Sequence, residues 1–590
     1  AGAYLADAEW VRLSALPGRD LVKDRYLVTL DGQTIAVDVH AVVTDGPDAG
    51  PLVLAEVDGG ENWPDLGEAA RAQLGAVREV TDDEAYTGAG LAVAPAPGID
   101  AADLATTLRV LDALPALPHG HPDIEAVKRA TDRMVRQVRK TRRRIARAAA
   151  QAPDRAHDDA VLAATATGSP LRIDDETKGV PLTSGAPGAL AGELRGPRGC
   201  YICHEQYTQV DAFYHWLCPT CAAMSHAKRD QRADLTGRRA LLTGGRAKIG
   251  MYIALRLLRD GAALTITTRF PQDAARRFAA LADSPEWLER LTIVGIDLRD
   301  PTQVVALADE VSAGGPLDIL VNNACQTVRR SPGAYAHLVA GEREPLPAGA
   351  GMPHVVAFDR IGEAHPAALL GSLSTPAVAH HEDAPGPVRT PAELAALALT
   401  AGSASLAAYT AGTAVDAGGL LPDLATSNSW TQTVDQVDPM ELLEVQLCNQ
   451  TAPFLLVSRL RPVLAAGAAR SRSGRAYVVN VSAMEGQFTR RYKGPGHPHT
   501  NMAKAALNML TRTSSAELFA TDRILMSAVD TGWITDERPH ADKLRMAQEG
   551  WHAPLDLVDG AARVYDPVVR GEAGEDLYGV FLKDFRPHPW

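Results

Sequence analysis

Apolar and polar positions change period several times along the chain. From 234 onward, short apolar runs of strand length alternate with helical patterns. Residues 239–243, 263–268, 291–297 and 317–321 form the first four runs, and Val478-Val-Asn-Val481 and Tyr578-Gly-Val-Phe-Leu582 form two later ones. After the first run, a glycine turn leads into 249–258, where apolar residues take helical spacing. Strand and helix in alternation predict a parallel, doubly wound α/β sheet. Upstream, 26–30 and 34–39 alternate around Asp31-Gly32, which predicts a hairpin, and 51–56 predicts a third strand. Ile124, Val127, Thr131, Met134, Val138, Thr141 and Ile145 repeat at three and four, which predicts a long helix over 121–150 with a heptad seam.

These patterns divide the chain. Residues 1–118 read as an α+β accessory unit, 119–150 as a long basic helix, and 151–198 as a linker without periodicity. A four-cysteine module follows at 199–228. A Rossmann-like domain fills 234–590, interrupted by an insertion at about 331–436. Ten basic residues fall between Lys128 and Arg147; they suit a solvated bundle or dimer helix, or an anionic surface.

Composition narrows the function classes. The chain has 590 residues, 46% hydrophobic and 22% charged, as expected of several globular domains. A net charge of −13 argues against general nucleic-acid binding. Runs of about eighteen apolar residues are absent, so no membrane span is expected. The six cysteines do not form a secreted disulfide pattern, which predicts a reducing, cytoplasmic setting.

Four of those cysteines carry the sharpest local signal: Cys200-Tyr-Ile-Cys203, fourteen residues, then Cys218-Pro-Thr-Cys221. Two CxxC pairs at this spacing suit four thiolates around a tetrahedral Zn²⁺ with no open position, hence a structural metal. Tyr207, Phe213, Tyr214 and Trp216 are predicted to form the module's small core, and His204 and His215 to lie at its surface.

Strand, glycine turn and helix in that order give the glycine motif its context. With Thr243-Gly244-(three)-Lys248-Ile249-Gly250, Asp297-Leu298, Asn322-Asn-Ala324, Ser482 and Lys504, the regions 236–330 and 437–590 resemble the short-chain dehydrogenase/reductase family. The resemblance implies a dinucleotide at the glycine turn, adenine contacts from Asp297 and Leu298, and support of the adenosine ribose and central strand by Asn322 and Ala324. Val529-Asp-Thr-Gly-Trp-Ile-Thr535 resembles the segment that caps the nicotinamide, with Thr531 for a proline and Ile534 and Thr535 facing the carboxamide. An NAD site wants a carboxylate at the end of the second strand. Here Arg269 stands there, and Arg246 and Lys248 add charge in the turn, which favours NADP over NAD.

The resemblance also assigns catalysis to Asn449, Ser482 and Lys504 and implies oligomers built through the helices after Asn449 and around Lys504. It wants a tyrosine four residues before the lysine, where this chain has Thr500. The segment from Ser482 to Lys504 is longer than the family's and holds Tyr492, Lys493, His497 and His499, with Glu485 near its start. Tyr492 and His499 are candidate replacements. Two readings stay open: an oxidoreductase acting on a small carbonyl or alcohol with a relocated proton donor, or an inactive NAD(P)-binding sensor or scaffold with a protein partner at the N-terminal region or the insertion. The insertion leaves the carboxyl edge of the fourth strand, where it can serve as lid, wall or assembly surface. Arg329 and Arg330 at its start suit an anion, and His380-His381-Glu382-Asp383 reads as a polar loop.

Overall fold

The computed structural model describes the strands at 23–30, 33–43 and 50–57, then 100–172, 189–347, 351–358 and 416–590 apart from single positions, with fragments between 177 and 188. The Asp31-Gly32 turn and the His380–Asp383 cluster lie outside the described residues. The chain divides into two compact units, 1–147 and 148–590.

In the first unit, β1 (Lys23–Leu30), β2 (Gln33–Val43) and β3 (Gly50–Val57) form an antiparallel sheet in the order β1-β2-β3. Leu30 pairs with Gln33, so two residues separate the paired positions, as the hairpin reading requires. Helix α1 (Ala101–Ala113) starts at Asp100, whose carboxylate accepts from the Ala102 and Asp103 amides. Helix α2 (Pro122–Ala163) begins in this unit and overruns its expected end at 150. Met134, Val138 and Ile145 of its heptad seam are exposed.

The end of α2 belongs to the second unit. Asp158 there accepts from the Arg195 and Gly196 amides of β4 (Leu190–Gly199), which pairs antiparallel with β5 (Gln206–Asp211). The predicted linker 151–198 therefore carries structure at both ends. Val161 of α2 and Leu194 of β4 are buried in the module's apolar cluster, too few residues to leave a hydrophobic period in the sequence.

A nine-stranded sheet organises the rest. In chain order its elements are α3 (Pro219–Arg229), β6 (Arg239–Leu242), α4 (Lys248–Arg259), β7 (Ala263–Thr268), α5 (Pro271–Ala279), β8 (Leu291–Gly295), α6 (Pro301–Ala313), β9 (Ile319–Asn322), α7 (Ala336–Arg343), β10 (His354–Ala357), α8 (Pro439–Gln446), α9 (Ala452–Arg470), β11 (Ala476–Ser482), α10 (Pro498–Asp522), β12 (Ile524–Asp530), α11 (His540–Gln548), α12 (Leu557–Glu572), β13 (Phe581–Lys583) and β14 (Arg586–His588). The strand order is β10-β8-β7-β6-β9-β11-β12-β13-β14, and only the last pair is antiparallel. The insertion thus gives an edge strand, β10, to the sheet.

Strands buried on both faces send alternate residues to two cores. Tyr477, Val479 and Val481 of β11 join Leu525 and Val529 of β12 in one, against α4 and α12. Ala476 and Val478 join Ile524 and Met526 in the other, against α6 and α9. The same alternation fixes which face each strand-end side chain serves.

Asp556 joins the cysteine module to this sheet. Fully buried, it accepts from Arg229 of α3 at 2.6 and 3.1 Å, from the Thr177 hydroxyl at 2.6 Å, and from the Asp559 amide at 2.9 Å as the N-cap of α12. Burial opposes its charge, but Arg229 outweighs that and holds the carboxyl well below its ordinary range. Since the folded pKa is depressed, this contribution is present above the unfolded carboxyl pKa near ~4 and fades as pH falls below it. Breaking a buried pair from one side costs about 3 kcal/mol or more. Asp556→Asn is expected to lower the thermal midpoint strongly at neutral pH and less in acid, as read by scanning fluorimetry at a series of pH values.

Candidate functional site

The cysteine module brings together the four sulfurs the spacing predicts. Cys200 follows β4, Cys203 sits in the tight turn before β5, Cys218 is the N-cap of α3, and Cys221 lies in its first turn. All four sulfurs lie within 4.8 Å of one another, and those of Cys203 and Cys218 are 3.6 Å apart. Sulfurs around a tetrahedral zinc stand about 3.8 Å apart, so the set fits such an ion. The Cys218 amide donates to the Cys200 sulfur at 3.3 Å. Tyr207 and Tyr214 are buried in the module as expected, but His215 is not a surface residue. It is 5% exposed and bonds the Thr167 hydroxyl through Nδ1 at 2.8 Å, so burial drives its pKa well down.

The module also walls a cleft. A cavity of 1540 Å³ runs over the carboxyl edge of the sheet from the glycine turn to β13, and Cys200, Tyr201 and Trp216 line one side of it. At the glycine turn, the Thr243 hydroxyl accepts from the Asn323 and Ala324 amides, tying β6 to the loop after β9. Gly244 has φ +69, and a Cβ there would come within 2.9 Å of Ala324. A Cβ on Gly250 would meet the Gly244 carbonyl at 2.0 Å. The first turn of α4 borders the cleft, as an anion site at a helix N-terminus requires. These residues fit a dinucleotide.

The cations around the turn differ in standing. Arg246 is committed to Asp273 at 2.5 Å and to the Gly418 carbonyl at 2.7 Å, and Lys248 faces Asp416 at 3.2 Å. Their charges are matched by carboxylates, which the sequence did not reveal. Arg269 is exposed at the end of β7, over the Tyr335 ring at 5.2 Å, and makes no ion pair among the described residues. Leu298 and Ala324 line the cleft, while Asp297 does so with its carboxylate held by Arg299 at 2.6 Å. Asn322 instead bonds Asn480 at 2.8 Å between β9 and β11. Ile534 and Thr535 line the far wall.

Of the expected catalytic residues, Ser482 and Lys504 reach the cleft and Tyr492 lies at its rim. The Ser482 hydroxyl is buried without a hydrogen-bond partner among the described residues. Lys504 donates to the Val481 carbonyl at 2.8 Å. Thr500, Asn449 and His499 are not among the lining residues. The Thr500 hydroxyl is 3.5 Å from the Thr327 carbonyl. The Asn449 amide accepts from the Gln326 amide at 2.7 Å and donates to its carbonyl at 2.8 Å, holding the start of the insertion. His499 is buried with both ring nitrogens unpartnered.

Sequence reasoning missed three residues here. Asp530 ends β12 within the cleft, buried, with Oδ1 accepting from the Gly532 amide at 3.1 Å and Oδ2 unpartnered among the described residues. Tyr201 accepts the Trp533 amide at 2.9 Å through its hydroxyl. Arg172, 2% exposed, donates to the Ala553 carbonyl at 2.6 Å and the Leu555 carbonyl at 2.5 Å, and to that of Ile534 at 3.3 Å, clamping the segment after β12. Only Asp530 had a signal: a carboxylate at a strand end, beside a replaced proline.

Residues 238–337 match the family model described as short chain dehydrogenase. Over that stretch the chain is similar to short-chain dehydrogenases. It is 27% identical over 389 residues to an uncharacterized protein of Acanthamoeba polyphaga mimivirus, covering 63% of this chain and 71% of that one. A probable oxidoreductase of Streptomyces antibioticus is 42% identical over 91 residues, 15% of this chain and 30% of its own length. The chain thus spans under a third of that relative. Among solved structures, an NADPH-bound carbonyl reductase from chicken fatty liver aligns at 18% identity over 62% of this chain and 98% of that one, with a TM-score of 0.36.

Proposed function

We propose that the protein is an NADP-dependent oxidoreductase that interconverts a carbonyl and an alcohol of a small molecule, braced by one structural zinc. The observation that carries this reading is the meeting of Ser482 and Lys504 with the glycine turn and Arg269 in one cleft. Bound NADPH supplies a hydride to such a cleft. The unpartnered Ser482 hydroxyl is available to donate to a substrate oxygen, and Lys504 adds positive charge beside it. The exposed guanidinium of Arg269, with no carboxylate at the end of β7, supports a 2′-phosphate. A binding-only reading has one observation in its favour: Thr500, where the resemblance wants a phenol, is buried against Thr327.

Assembly through α9 and α10 is part of the proposal. Phe454, Met502 and Met509 on these helices are 55%, 59% and 54% exposed, large apolar side chains that a second copy would cover.

Calorimetry is expected to give tighter binding of NADPH than NADH. Arg269→Ala should weaken NADPH about tenfold or more and leave NADH unchanged; equal affinities in the wild type would reject the NADP assignment. Elemental analysis should find one zinc per chain in the wild type and loss of it in Cys218→Ser. Light scattering should give an oligomer for the wild type that Met509→Glu breaks down, and a monomeric wild type would end the assembly claim.

A further inference from the structure

We propose that Asp530 is the proton donor and acceptor for the substrate oxygen, taking the part left vacant at Thr500. The inference rests on the oxidoreductase reading above.

Register supplies the geometry. Ser482 and Asp530 are the last residues of adjacent parallel strands and are paired directly with each other. Paired positions in a parallel sheet project to the same face, about 4.8 Å apart. Both residues line the cleft, and both are buried. Among the described residues, each keeps one oxygen without a partner: Oγ of Ser482 and Oδ2 of Asp530. The Gly532 amide holds Oδ1, which fixes the carboxyl and leaves Oδ2 for a ligand. A carbonyl oxygen bonded to the Ser482 hydroxyl is therefore within reach of a carboxyl on the next strand. Thr500, the residue at the family's tyrosine position, does not line this cleft.

The surroundings suit acid–base work. Burial pushes the Asp530 carboxyl up to about 7 against the pull of the Gly532 amide, and the charges of Asp584 and Glu485 push the same way. Lys583, next to Asp584 at the β13 end, opposes them. Arg563 of α12 is engaged by Asp584 at 2.8 Å, and Lys504 of α10 by the Val481 carbonyl. Tyr201 of the cysteine module, its phenol pushed up mainly by burial, stays neutral beside it. A group titrating near 7 holds a proton for reduction below that pH and accepts one for oxidation above it.

The step balances. A hydride leaves the reduced nicotinamide dinucleotide and bonds the carbonyl carbon. The π pair of the C=O moves to oxygen, which takes the proton from Oδ2. The dinucleotide is oxidised, the carbonyl reduced to an alcohol, and Asp530 left as a carboxylate that solvent reprotonates.

Infrared titration of the full-length protein without dinucleotide gives a readout independent of turnover. A protonated-carboxyl band should fade with a midpoint near 7 and be missing in Asp530→Asn. With NADPH and a panel of aldehydes and ketones, Asp530→Asn should lower kcat about 10²-fold or more while calorimetric NADPH affinity is kept. Wild-type kcat for reduction should fall above that midpoint, and Glu485→Gln should move the fall to lower pH by removing a neighbouring negative charge. Absence of the band in the wild type, or a variant that binds NADPH and keeps the wild-type kcat and pH profile, overturns the proposal alone. A wild type that takes up no dinucleotide overturns the oxidoreductase reading as well.

Discussion

The buried contact between Arg229 and Asp556 is the constraint on which the site depends. It joins residues 327 positions apart and caps α12 with the same carboxylate. The cost of taking two charges out of water is met only because every oxygen of Asp556 is occupied. Tyr214 adds a bond to Asp559 at 2.6 Å, and Lys228 pairs with Asp566 along the same helix. The cysteine module is thereby seated on α12, which packs against α4. The cleft wall and the helix that opens at the glycine turn share one foundation.

Arg172 extends that foundation to the chain after β12. Three carbonyls, of Ile534, Ala553 and Leu555, converge on one guanidinium. Carbonyls on either side of α11 that burial would otherwise leave unpaired are thereby satisfied. Tyr201 fixes its beginning through the Trp533 amide. The metal-type module thus fixes where the segment after Asp530 begins, while Arg172, upstream of the module, holds the rest of it.

What could be read in the residues follows from the range of the forces involved. The strands around 239–243 and 478–481, the glycine turn and the cysteine quartet all declare themselves within a few residues, because period, φ and ligand spacing are local. The hairpin at 26–39 was legible for the same reason. Asp556 and Arg172 gave no such sign, since each is an ordinary polar residue until partners hundreds of positions away surround it. Arg246 and Lys248 looked like phosphate ligands because Asp273 and Asp416 are remote in sequence. The family pattern directed attention to position 500, whereas the buried carboxyl in the cleft belongs to the neighbouring strand.

Lys248 shows how the insertion reaches the glycine turn. It opens α4 with φ +52, a conformation that glycine adopts freely and a lysine only at a cost. Its ammonium reaches Asp416, and Gly418 two residues later receives Arg246. The far end of the insertion is therefore stitched to the glycine turn. Excising the segment would remove a counter-anion from the helix mouth, leaving a more electropositive basin. On the proposed function, loop length and nucleotide preference would then be inherited together.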